Sequence, residues 1–158
     1  GWGALYSAFV AGAPMITVLL LLRSGHISEL HMSVTHERHI PYLVAFLAGV
    51  AAWGMLTLLN GPELLRCLAI VSAATLGALG VINAFWLISI HATAAAATWL
   101  IATLVFGWTA ALLLLPVALL ICYVRLYLKR HSIAQVAGGL ALGLSVVLLM
   151  RMFGCFVA

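Results

Sequence analysis

Apolar residues run in long unbroken stretches along this chain, and polar positions are confined to the short gaps between them. Six stretches stand out: Ala4 to Leu22, Pro41 to Asn60, Cys67 to Trp86, Ile88 to Phe106, Trp108 to Tyr123, and Ile133 to Val157. A bilayer core about 30 Å thick takes about 20 helical residues to cross, so each stretch is read as one span. Transmembrane strands would be about 10 residues long with alternating polar positions, a pattern this chain lacks. The expected fold is an all-α integral membrane protein, a six-transmembrane-helix bundle, with residues 1–158 forming a single domain. The first stretch has no basic region ahead of it and is long enough to span, so it reads as a helix of the bundle rather than a cleavable signal.

Composition agrees with that reading. The chain is 66% hydrophobic and 6% charged, against about 45–50% and about 25% in soluble domains. Six spans leave no length for a second, soluble domain. Seven Lys or Arg face three Glu, with no Asp, for a formal +4. The basic residues sit in the gaps between apolar runs, where they suit lipid headgroups rather than nucleic acid. Cys67, Cys122 and Cys155 lie in or beside apolar runs and read as small hydrophobes, not as a disulfide framework or a metal knuckle. Ala69, Ala73 and Gly77 recur at four-residue spacing, as do Gly139 and Gly143. Such stripes let helix backbones approach closely, although glycine scattered through an apolar helix is as good an account of either set alone.

With six alternating spans, the connectors Arg23 to Ile40, Asn83 to His91, and Arg125 to Ser132 emerge on one side of the membrane. That side holds all six histidines, five of the seven basic residues and two of the three glutamates. His91 opens the fourth span in an apolar setting, where an ionisable side chain is costly and a functional role is the first hypothesis; an imidazole satisfied by a backbone carbonyl is the structural alternative. Arg125, His131 and Gln135 follow in the fifth connector, with Lys129 and Arg130 reading as a snorkelling basic cap. The first connector carries His26, His31, His36, Arg38 and His39. Their spacing matches no recognised metal motif, and most read as solvated interfacial residues. Arg38 instead offers a guanidinium fork that fits phosphate oxygens. Two arginines and at least two histidines on one face suit a lipid phosphate. Arginines would neutralise the phosphoryl oxygens, one imidazole would attack phosphorus, and another would protonate the leaving oxygen. This chemistry calls for no metal or other cofactor.

These residues resemble the type 2 phosphatidic acid phosphatase superfamily, integral membrane lipid phosphatases with a six-helix core. Its third motif, Ser-Arg-x5-His-x3-Asp, is matched by Val124-Arg125, His131 and Gln135. Its second, Pro-Ser-Gly-His, is matched at two positions by Ile88-Ser89-Ile90-His91. Its first, Lys-x6-Arg-Pro, is approached by His31 and Arg38, with Pro41 three residues on. The resemblance implies His131 as the nucleophile that forms a phosphohistidine and His91 as the general acid. It implies Arg125 and Arg38 as phosphoryl ligands, with Ser89 and His31 as further substrate contacts. Gln135 stands where the family has an Asp that orients the nucleophile; its carbonyl can fix a tautomer but cannot stabilise an imidazolium as a carboxylate does.

The implied substrate is a phosphorylated lipid: an isoprenyl diphosphate, a phosphatidate or phosphatidylglycerol phosphate, or a lipid A. Counting Lys and Arg gives five on the histidine-rich side and two on the other; setting aside Arg38 and Arg125 leaves three against two. The resemblance implies a bacterial inner membrane with the site on the outer face. Two other classes compete. One is a phospholipid-binding relative without catalysis, which the departures at Ile90 and Gln135 keep open. The other is a bundle whose histidines hold haem or a metal, which would need two of them facing each other at mid-membrane depth.

Overall fold

The computed structural model describes residues 1–26 and 39–157. Among these residues the only regular secondary structure is helical, and we number the six helices α1 to α6. They are α1, Trp2–Arg23; α2, His39–Leu58; α3, Glu63–Asn83; α4, Ile90–Phe106; α5, Trp108–Tyr127; and α6, Ile133–Met152. Five of them are long and apolar enough to cross a membrane, and α4, at 17 residues, is the shorter apolar one. Helix α1 contains a π-helical turn over Ala8–Gly12, where Ala13 N–H reaches back to Ala8 O. The wider turn sits immediately before Pro14, whose ring would otherwise crowd the carbonyl four residues earlier.

Helix ends follow backbone signals more than hydropathy. Four helices close with the same pair of bonds, from Gly25 and His26, Asn60 and Gly61, Lys129 and Arg130, and Gly154 and Cys155 back to the preceding turn. This is the Schellman arrangement, which needs a left-handed residue just past the helix. Lys129 fills that position at φ 52°, although glycine is the residue that adopts it without steric cost. Hydropathy therefore ends the fifth span at Tyr123 whereas α5 continues to Tyr127, and it runs the sixth to Val157 whereas α6 stops at Met152. Pro62 starts α3 four residues ahead of the apolar run, with Glu63 in the first turn.

The chain packs as two compact units, residues 1–85 and 86–158. In the first, α2 and α3 are antiparallel neighbours, and α1 lies mainly against α2. Their crossing is set by small residues. Gly49 backs onto the Ala73 backbone, Gly77 onto the Phe46 ring, and Ala69 and Ala73 are fully buried. The stripe of Ala69, Ala73 and Gly77 is thus a helix contact, as close backbone approach requires. Leu56, Ala52 and Ala69 form the centre of this unit, with Leu5, Tyr6 and Phe9 of α1 packed over them. At the other end of the pair, the buried Asn83 amide donates to the Tyr42 hydroxyl at 3.0 Å, satisfying polar groups that would be costly to leave unmade.

In the second unit α4 is central, packing against α6 on one side and α5 on the other, while α5 and α6 barely meet. Its α6 face is made of Ala92, Thr93, Ala96 and Ala97, all buried. Gly139 and Gly143 lie directly on that face. A Cβ at 139 would stand 2.6 Å from the Ser89 carbonyl oxygen, and one at 143 would collide with the Thr93 carbonyl oxygen. Because 139 meets 89 and 143 meets 93, α4 and α6 run parallel. Helix α5 runs antiparallel to α4, and the Trp99 indole N–H donates to Ala111 O at 2.9 Å near their far end. Cys122 is a free thiol, half-buried in α5; Cys67 and Cys155 are not free thiols, a departure from the expectation of three unlinked cysteines.

Candidate functional site

The start of α4, the end of α5 and the start of α6 come together at one end of the second unit. The Arg-x5-His-x3-Gln spacing has a direct structural meaning there. Arg125 is in the last turn of α5, and its carbonyl accepts the Arg130 N–H at 3.2 Å in the Schellman turn. The chain reverses through Lys129, His131 precedes the helix, and Ser132 becomes the N-cap of α6. Gln135, at the third helical position, completes a capping box. Its N–H donates to Ser132 Oγ at 3.3 Å, and its side-chain oxygen accepts from Ser132 N–H at 2.9 Å. Two helix-end devices, placed back to back, thus fix the path between Arg125 and His131.

The same turn is tied to α4. Gln135 O accepts the Ser89 N–H at 3.1 Å, and Ser89 in turn caps α4 by accepting from Ala92 N–H at 3.3 Å. Its carbonyl takes both the N–H and the hydroxyl of Thr93, each at 3.0 Å. His91, two residues on, is exposed, and His131 is half-buried. Arg125 is also half-buried; its Nε is enclosed and has no hydrogen-bond partner among the described residues.

His91 and Arg125 share a groove of about 430 Å³ between α4 and α5. They form its polar end. The walls are otherwise largely aliphatic, from Ala94 and Ala95 on α4 and Val117, Ala118 and Ile121 on α5, and Trp99 and Leu114 lie toward the far end. The groove exists because small side chains face one another across these helices. On α4 those residues are Ala94 and Ala95, the first half of an alanine run whose second half, Ala96 and Ala97, packs on α6.

The structure therefore brings His91 and Arg125 to one groove and anchors His131 to the same end through the Ser89–Gln135 bond. Ser89 departs from its expected role as a substrate contact. It is completely buried, does not line the groove, and its hydroxyl serves as a helix cap. Gln135 holds the Ser132 N–H with the oxygen that was expected to orient His131. His31 and Arg38 lie outside the described residues. Among the described residues no three His, Cys, Asp or Glu side chains gather as a metal-ligand set. No family model, curated protein or solved structure matches the chain.

Proposed function

We propose that all six helices cross a bilayer and that the chain is a lipid phosphatase, acting on a phosphorylated headgroup at the end of the second unit that holds His91, Arg125 and His131. The observation that carries this reading is the placement of an accessible imidazole and a guanidinium with an unengaged Nε on one groove, beside a second imidazole held by the α5–α6 turn. An arginine in a largely apolar surround calls for an anion, and its planar fork matches phosphoryl oxygens.

In the proposed reaction an imidazole nitrogen of His131 attacks phosphorus. The P–O bond to the lipid breaks, and His91 passes its proton to the departing oxygen, leaving a phosphohistidine and the free lipid alcohol or monophosphate. Water then attacks phosphorus and His91 takes its proton. Orthophosphate leaves, and both imidazoles return to their starting states. Arg125 holds the phosphoryl oxygens throughout, where charge builds in each transition state.

The test is release of inorganic phosphate in detergent from a panel of isoprenyl diphosphate, phosphatidate, phosphatidylglycerol phosphate and lipid A, comparing the wild type with His131→Ala. Release that disappears in the variant is the expected result; silence across the panel from folded protein refutes the reading. A second reading, a binder that holds the headgroup without cleaving it, is favoured by one observation. Gln135 offers an amide in place of a carboxylate, and its side-chain oxygen is engaged by the Ser132 N–H rather than backing the nucleophile. It predicts phospholipid binding that survives His131→Ala with no phosphate release from either protein.

A further inference from the structure

The α4–α5 groove extends well beyond what a phosphate needs. From His91 to Trp99 along α4, and from Arg125 to Leu114 along α5, it runs roughly 12–16 Å at 1.5 Å per residue. One end is cationic and the remainder largely aliphatic. We infer that this groove seats one hydrocarbon chain of an anionic phospholipid, phosphate against Arg125 and chain running toward Trp99. The inference rests on reading the Arg125 end as a phosphate site, and it adds where the rest of the ligand goes.

Charge complementarity selects this occupant over a neighbouring helix. A second protein helix laid in the groove would bury the Arg125 guanidinium against apolar side chains, and an unpaired buried charge is costly. A phospholipid brings its own anion to that end. Its chain gains nothing from leaving water, because it starts in the bilayer, where the surroundings are already apolar. Selection must then come from shape and from the phosphate. Ala94 and Ala118 line it from the two helices, so a chain fits there only while those positions stay small. The indole of Trp99, pinned to Ala111 O, stands at the far end as a stop.

Trp99 also supplies the readout. The other four tryptophans, Trp2, Trp53, Trp86 and Trp108, are exposed by 38%, 40%, 47% and 77% and would meet any lipid. The experiment uses the full chain reconstituted in phosphatidylcholine vesicles and titrated with phosphatidate brominated in mid-chain. The Trp99 signal is taken as the difference between wild type and Trp99→Phe. The expected result is quenching of Trp99 that saturates with phosphatidate, is absent when the same mole fraction of brominated chain is carried by phosphatidylcholine, and is lost in both Arg125→Gln and Ala118→Phe. Quenching that is equal for the two lipids and linear in their amount would overturn the inference, as would saturable quenching unaffected by Ala118→Phe in a variant with an unchanged circular dichroism spectrum. The two proposals fail separately. Phosphate release without Trp99 quenching keeps the phosphatase and removes the groove, whereas saturable quenching without release keeps the groove and removes the catalysis.

Discussion

Replacing Gly139 by alanine tests the α4–α6 contact that holds the site together. A Cβ there would lie 2.6 Å from the Ser89 carbonyl oxygen, 3.1 Å from Thr93 Oγ1 and 3.2 Å from Ala92 Cβ. Carbon and carbonyl oxygen come no closer than about 3.3 Å in favourable contacts, so the backbones must separate by about 0.7 Å. The Ser89 carbonyl has nowhere to go, since it accepts two bonds from Thr93 while its own N–H is tied to Gln135. Overpacking of this kind costs about 1–3 kcal/mol. Gly138→Ala is the matched control. Its Cβ would meet the edge of the Trp86 ring at 2.9 Å and a methyl of the buried Ile88 at 3.1 Å; the half-exposed indole can swing aside, and the methyl must give by a few tenths of an ångström. Both substitutions gain the same helix propensity, about 1 kcal/mol over glycine, so that term cancels between them. Thermal unfolding in detergent, followed by circular dichroism, should place Gly139→Ala below Gly138→Ala by roughly 2–4 °C for each kcal/mol of overpacking. Equal midpoints for the two variants would refute the proposed approach of α6 to α4.

Three further substitutions address the turn between Arg125 and His131 and the α6 cap that follows it. Lys129→Gly should raise stability by about 0.5–1 kcal/mol, because relief of the left-handed strain exceeds the added freedom of the unfolded chain; an unfolding midpoint at or below wild type would contradict this. Ser132→Ala should cost about 1 kcal/mol by removing the α6 cap, whereas Gln135→Glu should keep the midpoint because Ser-x-x-Glu forms the same box; thermal unfolding of both variants checks the pair.

The helical architecture was legible because each apolar run is close to a bilayer's thickness and polar residues interrupt only between runs. What hydropathy missed were ends set by backbone geometry. Arg125 interrupts the apolar run, so α5 was ended at Tyr123, yet the helix stops only where Lys129 turns left-handed. The stripes of Ala69, Ala73 and Gly77, and of Gly139 and Gly143, were visible, and both prove to be crossings. The five residues between Arg125 and His131 are taken up by a Schellman turn and the approach to the α6 N-cap, which the spacing alone did not reveal. Ser89 was misplaced because a serine that caps a helix and one that binds phosphate are indistinguishable without burial. Ser132 and Gln135 carry the Ser-x-x-Gln pattern of a capping box, which coincides in sequence with the position of a partner for His131. The groove was invisible because it depends on which face of α4 meets α5, and alanine runs mark packed helices and hollow ones alike.

The two sides of α4 have opposite tolerances. Toward α6 the fit is backbone against backbone, so no side chain there is free to grow. Toward α5 the two helices leave a groove lined largely by aliphatic side chains, and the Trp99 indole bonds Ala111 O across them. The shape of the groove is therefore free to drift by exchanges at positions such as Ala94, Val117 and Ala118 while the parallel α4–α6 pair stays fixed. One helix serves both as the rigid partner of α6 and as the adjustable wall of the groove beside α5.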